Sequence, residues 1–161
     1  MSYEGGAYRL ESRHYQYDVD EFHRNLAKAR RAASAQREMY LLEAISLYRG
    51  EYLEDIYSEW TEEVRGSLQR EYHQALEDLA RYRWEQGRLE DAVESCRKLL
   101  DKDPLREDIH RLLIGIMLET GDRAGAMRQF KRLREILKDE LGAEPSDETL
   151  DLLRGLLGDD E

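Results

Sequence analysis

The sequence predicts an all-α fold of about seven helices arranged as helical hairpins, with a short extended segment at the N-terminus. Three observations indicate this fold. Apolar residues recur at spacings of three and four along most of the chain. Charged residues make up 38% and only 2 prolines occur, which is typical of solvated helices. The segment QGRLEDA, residues 86–92, returns 34 positions later as TGDRAGA, residues 120–126.

The N-terminal part predicts extended chain followed by two helices. Residues 5–17 have no helical period and are expected to form one or two short extended pieces. Asp18 begins a helix with Glu21 in a capping-box arrangement, and its apolar face is predicted to be Phe22, Leu26, Ala29 and Ala33. A second helix is predicted to end at Gly50, with an apolar face of Leu41, Ala44, Ile45 and Tyr48.

A long third helix follows an irregular link. Ser58, at the end of the link, is available as its N-cap. One apolar stripe continues from there to Gly87, formed by Trp60, Val64, Leu68, Tyr72, Ala75, Leu79 and Trp84. The next helix is predicted to bury Leu89, Ala92, Val93, Cys96, Leu99 and Leu100.

The last three helices are each predicted from a capping residue. Asp103 is expected to cap a helix whose first residue is Pro104, because proline lacks the N–H that is unpaired there; its apolar face is Ile109, Leu112, Leu113, Ile116 and Met117. Asp122 caps a helix that carries Ala126, Phe130, Leu133 and Leu137 to about Leu141. Ser146 is expected to cap a final helix with Leu150, Leu153 and Leu157 on one side.

The 34-residue period indicates the architecture. Helix, glycine, helix and proline at this spacing are typical of a tetratricopeptide-type repeat. Gly87 and Gly121 would provide the left-handed backbone of the turns, and Ala92 and Ala126 the small side chains where paired helices cross. The final helix would close the stack, as the end of a solenoid requires. The sequence therefore predicts a tetratricopeptide-like solenoid.

Composition limits the classes of function. The net charge of −11 disfavours a nucleic-acid binder, because phosphate contacts need clustered Lys and Arg. The single cysteine, Cys96, excludes an internal disulfide framework. No apolar run is long enough for a membrane span and no signal peptide precedes the helices. The chain is therefore expected to be soluble and cytoplasmic, without membrane association.

Several segments in order resemble a known family. These are YRL, DVDEF, AISLYRGEYLEDIYSEW, QGRLEDAVESCRKLLDKDPLRE and LKDELGAEPSDETLDLL, which together cover about residues 5–157. The chain resembles the bacterial transcriptional activator domain of the antibiotic-pathway regulators of actinomycetes. The resemblance implies a domain at 18–158, with 159–161 a frayed tail.

The resemblance also implies a partner within a longer protein. In that family the domain follows a winged helix-turn-helix DNA-binding domain, whose last strand often ends in a GYRL-like sequence. GGAYRL, residues 5–10, is similar to that end with one inserted alanine, Ala7. Residues 1–17 are accordingly expected to be the end of, or a linker from, an upstream domain. Promoter binding does not carry over to these residues.

No catalytic group, metal site or cofactor is predicted. The four histidines, His14, His23, His73 and His110, lack the spacing of a zinc site and are interpreted as solvated or helix-face residues. Cys96 falls on an apolar face, which favours a small buried hydrophobic side chain over a nucleophile. GGAYRL lacks the Lys and Ser or Thr of a Walker motif. An enzyme is therefore not expected.

Two surfaces are candidates for interaction. Residues 23–37 contain five bases and no acids, and the proposed basic surface is Arg24, Lys28 and Arg31. It is either a solvated face or a docking face beside a DNA-binding domain or for an acidic partner. The expected concave face combines Gln74, Glu77, Arg81, Asp108, Arg111 and Glu119. The period also places Arg81 at the level of Gly115 and Glu85 at the level of Glu119. These residues are either a binding surface for a charged peptide or adjoining domain, or simply exposed helix positions.

The sequence thus favours a regulatory, protein-interaction domain of a bacterial transcriptional activator, acting by contact rather than catalysis. Expected partners are the upstream DNA-binding domain, and the transcription machinery or a second copy of the chain. The alternative is a general repeat scaffold that binds a protein partner outside transcription. An upstream winged helix would favour the first hypothesis.

Overall fold

The computed structural model describes residues 2–4, 7–9, 18–50 and 59–158. The strands are β1 (Ser2–Glu4) and β2 (Ala7–Arg9). The helices are α1 (Asp18–Arg31), α2 (Ser34–Leu47), α3 (Glu59–Glu85), α4 (Leu89–Lys102), α5 (Glu107–Glu119), α6 (Arg123–Leu141) and α7 (Asp147–Gly158). The chain divides into two compact units, Met1–Ala75 and Leu76–Glu161. The predicted all-α architecture of seven helices is confirmed.

The extended N-terminal segment is a short antiparallel hairpin. β1 pairs with β2 so that Tyr3 lies opposite Tyr8. β2 falls within the predicted extended stretch of residues 5–17, but β1 precedes it and was not predicted. Residues 10–17 lie outside the described part of the chain.

In the first unit, α1 and α2 form a helical hairpin. The link between them is only two residues long, so the helices run antiparallel and pack on each other. Their buried apolar side chains are Phe22, Leu26, Ala29, Leu41 and Ala44. The prediction that Ala33 belongs to this face is wrong. Ala33 is exposed, because α1 ends at Arg31 and Ala33 has the extended backbone of the residue that precedes α2.

The predicted end of α2 at Gly50 is also wrong. The helix ends at Leu47, and Tyr48 has the extended backbone angles φ −81° and ψ 90°. The ring of Tyr48 stacks on that of Tyr72 in α3, with centroids 4.2 Å apart. The end of α2 therefore coincides with this stack. Gly50 has no left-handed backbone.

The first turn of α3 differs from its predicted stripe. Trp60, expected to be buried, is 56% exposed, whereas Thr61 beside it is fully buried. Because successive helical residues point about 100° apart, Thr61 takes the inward direction that the stripe assigned to Trp60. Leu68 and Ala75 further along are buried as predicted. Ser58, the expected cap, lies outside the described residues.

In the second unit, the end of α3 with α4, and α5 with α6, form the two repeat hairpins. Gly87 and Gly121 have φ of 71° and 77°, which confirms the left-handed turns. At each turn the residue after the glycine donates to a carbonyl five residues earlier, Arg88 to Arg83 at 2.9 Å and Asp122 to Met117 at 2.8 Å. These bonds satisfy carbonyls at the helix ends. The Asp122 carboxylate accepts from the Gly125 N–H at 2.8 Å, which confirms it as the cap of α6.

The predicted start of α5 at Pro104 is wrong. The Asp103 carboxylate accepts from the Leu105 N–H at 3.2 Å, and this bond closes a turn at residues 104–105. The helix itself begins at Glu107, after Arg106, which has non-helical angles of φ −71° and ψ 84°. The Asp-Pro pair therefore forms a connection between two repeats.

The core of the second unit contains the predicted apolar faces. Its buried side chains include Leu79, Ala92, Cys96, Leu99, Ile109, Leu112, Leu113, Ile116, Ala126, Phe130, Leu133 and Leu137. Leu89, Val93 and Met117, expected in the same faces, are half-buried. α7 packs on α5 and α6 and so covers the end of the stack. Among the described helices, none is long and apolar enough to cross a membrane.

Candidate functional site

The predicted concave-face residues occupy the first helices of the two repeats. Gln74 is an exposed residue of the first unit. The others lie on α3 and α5 in the second unit and are Glu77, Arg81, Asp108, Arg111 and Glu119. Arg81 and Glu119 are exposed, whereas Glu77 is 9% exposed. These five residues have two different roles.

Glu77 and Asp108 take part in an ion-pair network organised by Arg106. The guanidinium Nη2 of Arg106 lies 2.7 Å from Glu77 Oε2 and 2.6 Å from Asp108 Oδ2, and its Nε donates to Asp108 Oδ1 at 2.9 Å. The two bonds to Asp108 are bidentate, the geometry that makes such pairs strong. The bonds from Arg106 hold the pKa of the Asp108 carboxyl below its ordinary value, against the opposing effect of burial. This network joins α3 to the start of α5.

Arg106 was missing from the sequence-based candidates. It lies in the connection between repeats, whereas the 34-residue comparison considered only positions on helix faces. The segment KDPLRE, which contains Arg106 and carries part of the family resemblance, is the signal that could have identified it.

Arg111 fastens α7 to α5. Its Nη1 donates to Ser146 Oγ at 3.2 Å and to Thr149 Oγ1 at 3.3 Å, and its Nη2 lies 3.1 Å from Glu148 Oε2. The Glu107 carboxylate accepts from both the N–H and the hydroxyl of Ser146, at 2.7 and 2.6 Å. Burial would raise the pKa of Glu107, but these bonds lower it below its ordinary value. Ser146 precedes α7 as predicted, although its hydroxyl donates to Glu107 on another helix.

Arg81 and Glu119 line an open cleft between α3 and α5. The described residues around it are Arg81, Trp84, Glu85 and Glu119, and its volume is about 440 Å³. Trp84 donates its indole N–H to the Glu119 carboxylate. An ideal Cβ at Gly115 would lie 3.6 Å from Trp84 Cη2, so the glycine leaves the ring close to the backbone of α5. The period correctly placed these levels of α3 and α5 side by side.

Trp84 has a different place from the one that the apolar stripe of α3 predicts. The stripe predicts a core residue, but Trp84 is half-buried and lines the cleft. Position 84 lies at the edge of the stripe, where a large side chain reaches the surface. Gly115, a small residue at the matching level of the next repeat, is the signal that could have indicated room for it.

The predicted basic surface lies on α1 in the first unit. Arg24, Lys28 and Arg31 are all exposed, at spacings of four and three that place them on one side of the helix. The Lys28 ammonium lies 5.3 Å from the centre of the Tyr40 ring on α2, within the range of a cation–π contact. Arg24 Nε donates to the Asp20 carbonyl at 3.3 Å.

Cys96 and His110 are both buried in the second unit. Cys96 is 0% exposed, and burial raises the pKa of its thiol to about 12, which confirms it as a hydrophobic core residue. The histidines are expected to be solvated or helix-face residues. His110 lies on α5 but is not solvated, because it is 1% exposed. Two hydrogen bonds, to Pro104 and Gln129, satisfy its ring nitrogens. His23 is exposed as expected, and His14 lies outside the described residues.

A solved structure, a curated protein and a family model are similar to this chain, and the solved structure agrees with this architecture. Over 89% of its length the chain is similar to a solved structure, Mycobacterium tuberculosis EmbR in complex with a low-affinity phosphopeptide, with a TM-score of 0.71 and 21% identity. It is 26% identical over 162 residues to the Regulatory protein AfsR of Streptomyces griseus. The match covers 98% of this chain but 17% of AfsR, and 38% of the EmbR chain. The model of the bacterial transcriptional activator domain matches residues 17–157. The chain therefore belongs to the bacterial transcriptional activator domain family, and its role is regulatory.

Proposed function

We propose that the chain is a protein-interaction domain of a bacterial transcriptional activator that acts through contact with other domains or proteins. Residues 18–158 are the domain, and residues 1–17 are the end of, or the linker from, an upstream winged-helix domain that reads DNA. The observation that carries the proposal is the open cleft between α3 and α5, the first helices of the two repeats. The cleft lies within residues 17–157, which match the family model.

The candidate residues divide between binding and support. Arg81 and Glu119 are exposed in the cleft and are assigned to partner contact. Glu77, Asp108 and Arg111 fix the neighbouring helices through their ion pairs and are assigned to support. The exposed basic surface on α1 is assigned to contact with the upstream DNA-binding domain. The remaining partner is the transcription machinery or a second copy.

A tethering experiment tests this function. The chain is fused to an unrelated sequence-specific DNA-binding domain whose operator lies upstream of a weak reporter promoter in bacteria. We expect the fusion to raise transcription several-fold over the DNA-binding domain alone. Glu85→Arg should lower the activation, because it reverses a charge of the exposed cleft. Glu140→Arg, at an exposed position of α6, is the matched control and should leave it unchanged.

The outcome distinguishes the two functional hypotheses. A fusion that accumulates and keeps the helical circular dichroism of the chain, yet leaves transcription at the control level, would contradict the proposal. That result would favour the alternative of a scaffold that binds a partner outside transcription. Equal loss of activation in both charge-reversal variants would show that activation does not depend on contact with the cleft.

A further inference from the structure

The cleft between α3 and α5 has an aromatic wall that is held in place. Trp84 is anchored at its indole N–H by the Glu119 carboxylate and lies close to Gly115 on α5. The ring is therefore positioned before any partner arrives, so binding would cost little side-chain entropy. The part of the ring that remains accessible lines the cleft.

The available charge of the cleft is negative. Arg81, its one basic residue among those described, is already paired with Glu77, with Nη2 and Nε lying 2.9 and 3.0 Å from Glu77 Oε1. Glu85 is exposed and forms no ion pair with any residue that the structure describes. In the described part of the chain, the Glu119 carboxylate accepts a hydrogen bond only from the Trp84 indole, which is neutral. No basic side chain described there neutralises its charge.

We propose that this cleft binds an arginine side chain presented by a segment of a partner protein. The planar guanidinium would lie against the Trp84 ring and donate to the carboxylates of Glu85 and Glu119. Arginine fits better than lysine because its flat group both stacks on aromatic rings and donates two parallel bonds to a carboxylate. The volume of about 440 Å³ leaves room for the residues that flank the arginine. This inference rests on the proposed interaction function and defines the chemistry of the partner.

Tryptophan fluorescence provides a direct test. The chain has 2 tryptophans, and Trp60→Phe, at a position 56% exposed, leaves Trp84 as the only reporter. The probe is an acetylated and amidated peptide with one arginine between glycines, titrated at low ionic strength. Peptides with lysine or glutamate in place of arginine are the comparison. We expect a saturable change of Trp84 emission with the arginine peptide, a weaker one with lysine and none with glutamate.

Two charge-neutral substitutions identify the carboxylates. Glu119→Gln keeps an oxygen that accepts from the Trp84 indole while it removes the charge, and Glu85→Gln removes the second charge. We expect the double variant to bind the arginine peptide about tenfold more weakly, because each bond to a charged group is replaced by a neutral one. Glu140→Gln, at an exposed position of α6, is the control and should bind as before. Equal affinity in all variants, or no saturable change, would overturn the inference.

The results also separate this inference from the proposed function. If the arginine peptide does not bind but the tethered chain still activates transcription, the cleft assignment fails and the function stands. If the peptide binds but the tethered chain is inactive, the function fails and the cleft assignment stands. Sedimentation of the chain alone tests whether a second copy of the chain, rather than a partner protein, occupies the cleft. Self-association that is abolished by Glu85→Gln would assign the cleft to a second copy and overturn the inference that a partner protein occupies it.

Discussion

His110 on α5 and Gln129 on α6 form a hydrogen bond of 2.7 Å between Nδ1 of the ring and the amide nitrogen. The other ring nitrogen, Nε2, lies 3.0 Å from the Pro104 carbonyl oxygen. Because a carbonyl can only accept, Nε2 donates and Nδ1 accepts, and this arrangement is the neutral imidazole. Burial is the main cause that lowers the pKa of His110 from its ordinary 6.5, and the nearby charge of Arg132 adds to it.

The lowered pKa of His110 predicts that the protein is less stable in mild acid. Below about pH 6.5 the unfolded chain binds a proton at this residue that the folded protein does not, so the free energy of unfolding rises with pH in this window. The contribution is complete above the unfolded pKa and is lost as the pH falls toward the lower folded value. We expect a lower urea midpoint at about pH 5.5 than at about pH 7.5.

Two variants attribute this pH dependence to the residue. His110→Gln removes the titrating group but keeps a side chain that can donate and accept, so the difference between the two midpoints should shrink. Gln36→Ala, at an exposed position on α2, removes no titrating group and should retain the full difference. An identical midpoint at both pH values in the unmodified chain would contradict the prediction.

The left-handed backbone of Gly87 predicts that a larger residue there lowers the stability of the protein without any steric clash. Its φ is 71°, and a Cβ there would meet no atom within 4 Å. Gly87→Ala should therefore destabilise the protein only through the left-handed backbone, by about 1–2 kcal/mol. Gly155 in α7 also has open space around it but no positive φ. Gly155→Ala should be neutral or more stable by up to about 1 kcal/mol.

Urea unfolding of the two glycine variants measures this contrast directly. A fall of the midpoint for Gly87→Ala together with no fall for Gly155→Ala is the expected result. Equal effects at both positions would show that the conformation at Gly87 is not what selects glycine there.

The complete burial of Ala92 and Ala126 predicts that a larger side chain at either position lowers the stability of the protein by overpacking the core. Ala126 is 0% exposed and packs with Phe130 and with Ile114 of the paired helix, and Ala92 is likewise 0% exposed. Ala126→Leu or Ala92→Leu should each destabilise by about 1–3 kcal/mol, because the added carbons must displace packed neighbours. Ala124→Leu, at an exposed position of the same helix as Ala126, is the matched control. Unchanged unfolding midpoints for both buried variants would refute the assignment to a close helix crossing.

The repeat period predicted the parts of the fold that depend on local backbone and spacing. Gly87 and Gly121 have the left-handed backbone that favours glycine, and Asp122 caps α6, so the hairpin turns could be placed from the sequence. The start of α5 could not, because the bond from Leu105 to Asp103 is compatible with both a helix cap and an isolated turn. The end of α2 coincides with the Tyr48–Tyr72 stack, a tertiary contact that no local rule contains.

The site was predictable at the level of helix faces and not of individual bonds. The period brought Arg81 and Glu119 to the same cleft. It could not show that Glu77 would be shared with Arg106, because Arg106 lies in a connection whose path depends on tertiary structure. For the same reason the burial of His110 could not be read from spacing, since its partners come from the connection before α5 and from α6.

The final prediction concerns DNA. We expect the isolated 161-residue chain not to bind duplex DNA specifically at physiological salt. Its net charge is −11, and the exposed bases Arg24, Lys28 and Arg31 occupy one side of α1, whose other side is buried in the first unit. Base reading needs side chains such as Arg, Asn and Gln directed together into a groove, and the one Asn of α1, Asn25, is buried. The measurement is an equilibrium titration with promoter DNA at two salt concentrations.

The salt dependence separates weak attraction from recognition. A few exposed bases can neutralise phosphates, and each neutralised phosphate steepens the dependence of log affinity on log salt by about 0.9. In a parent protein with an upstream winged helix, charge reversal at Arg24, Lys28 and Arg31 should weaken promoter binding without unfolding the domain. The same reversal at exposed Arg128, Lys131 and Arg134 on α6 controls for net charge and should weaken it less. Sub-micromolar binding by the isolated chain that survives excess non-specific DNA would contradict the prediction, because the chain itself would then read the sequence.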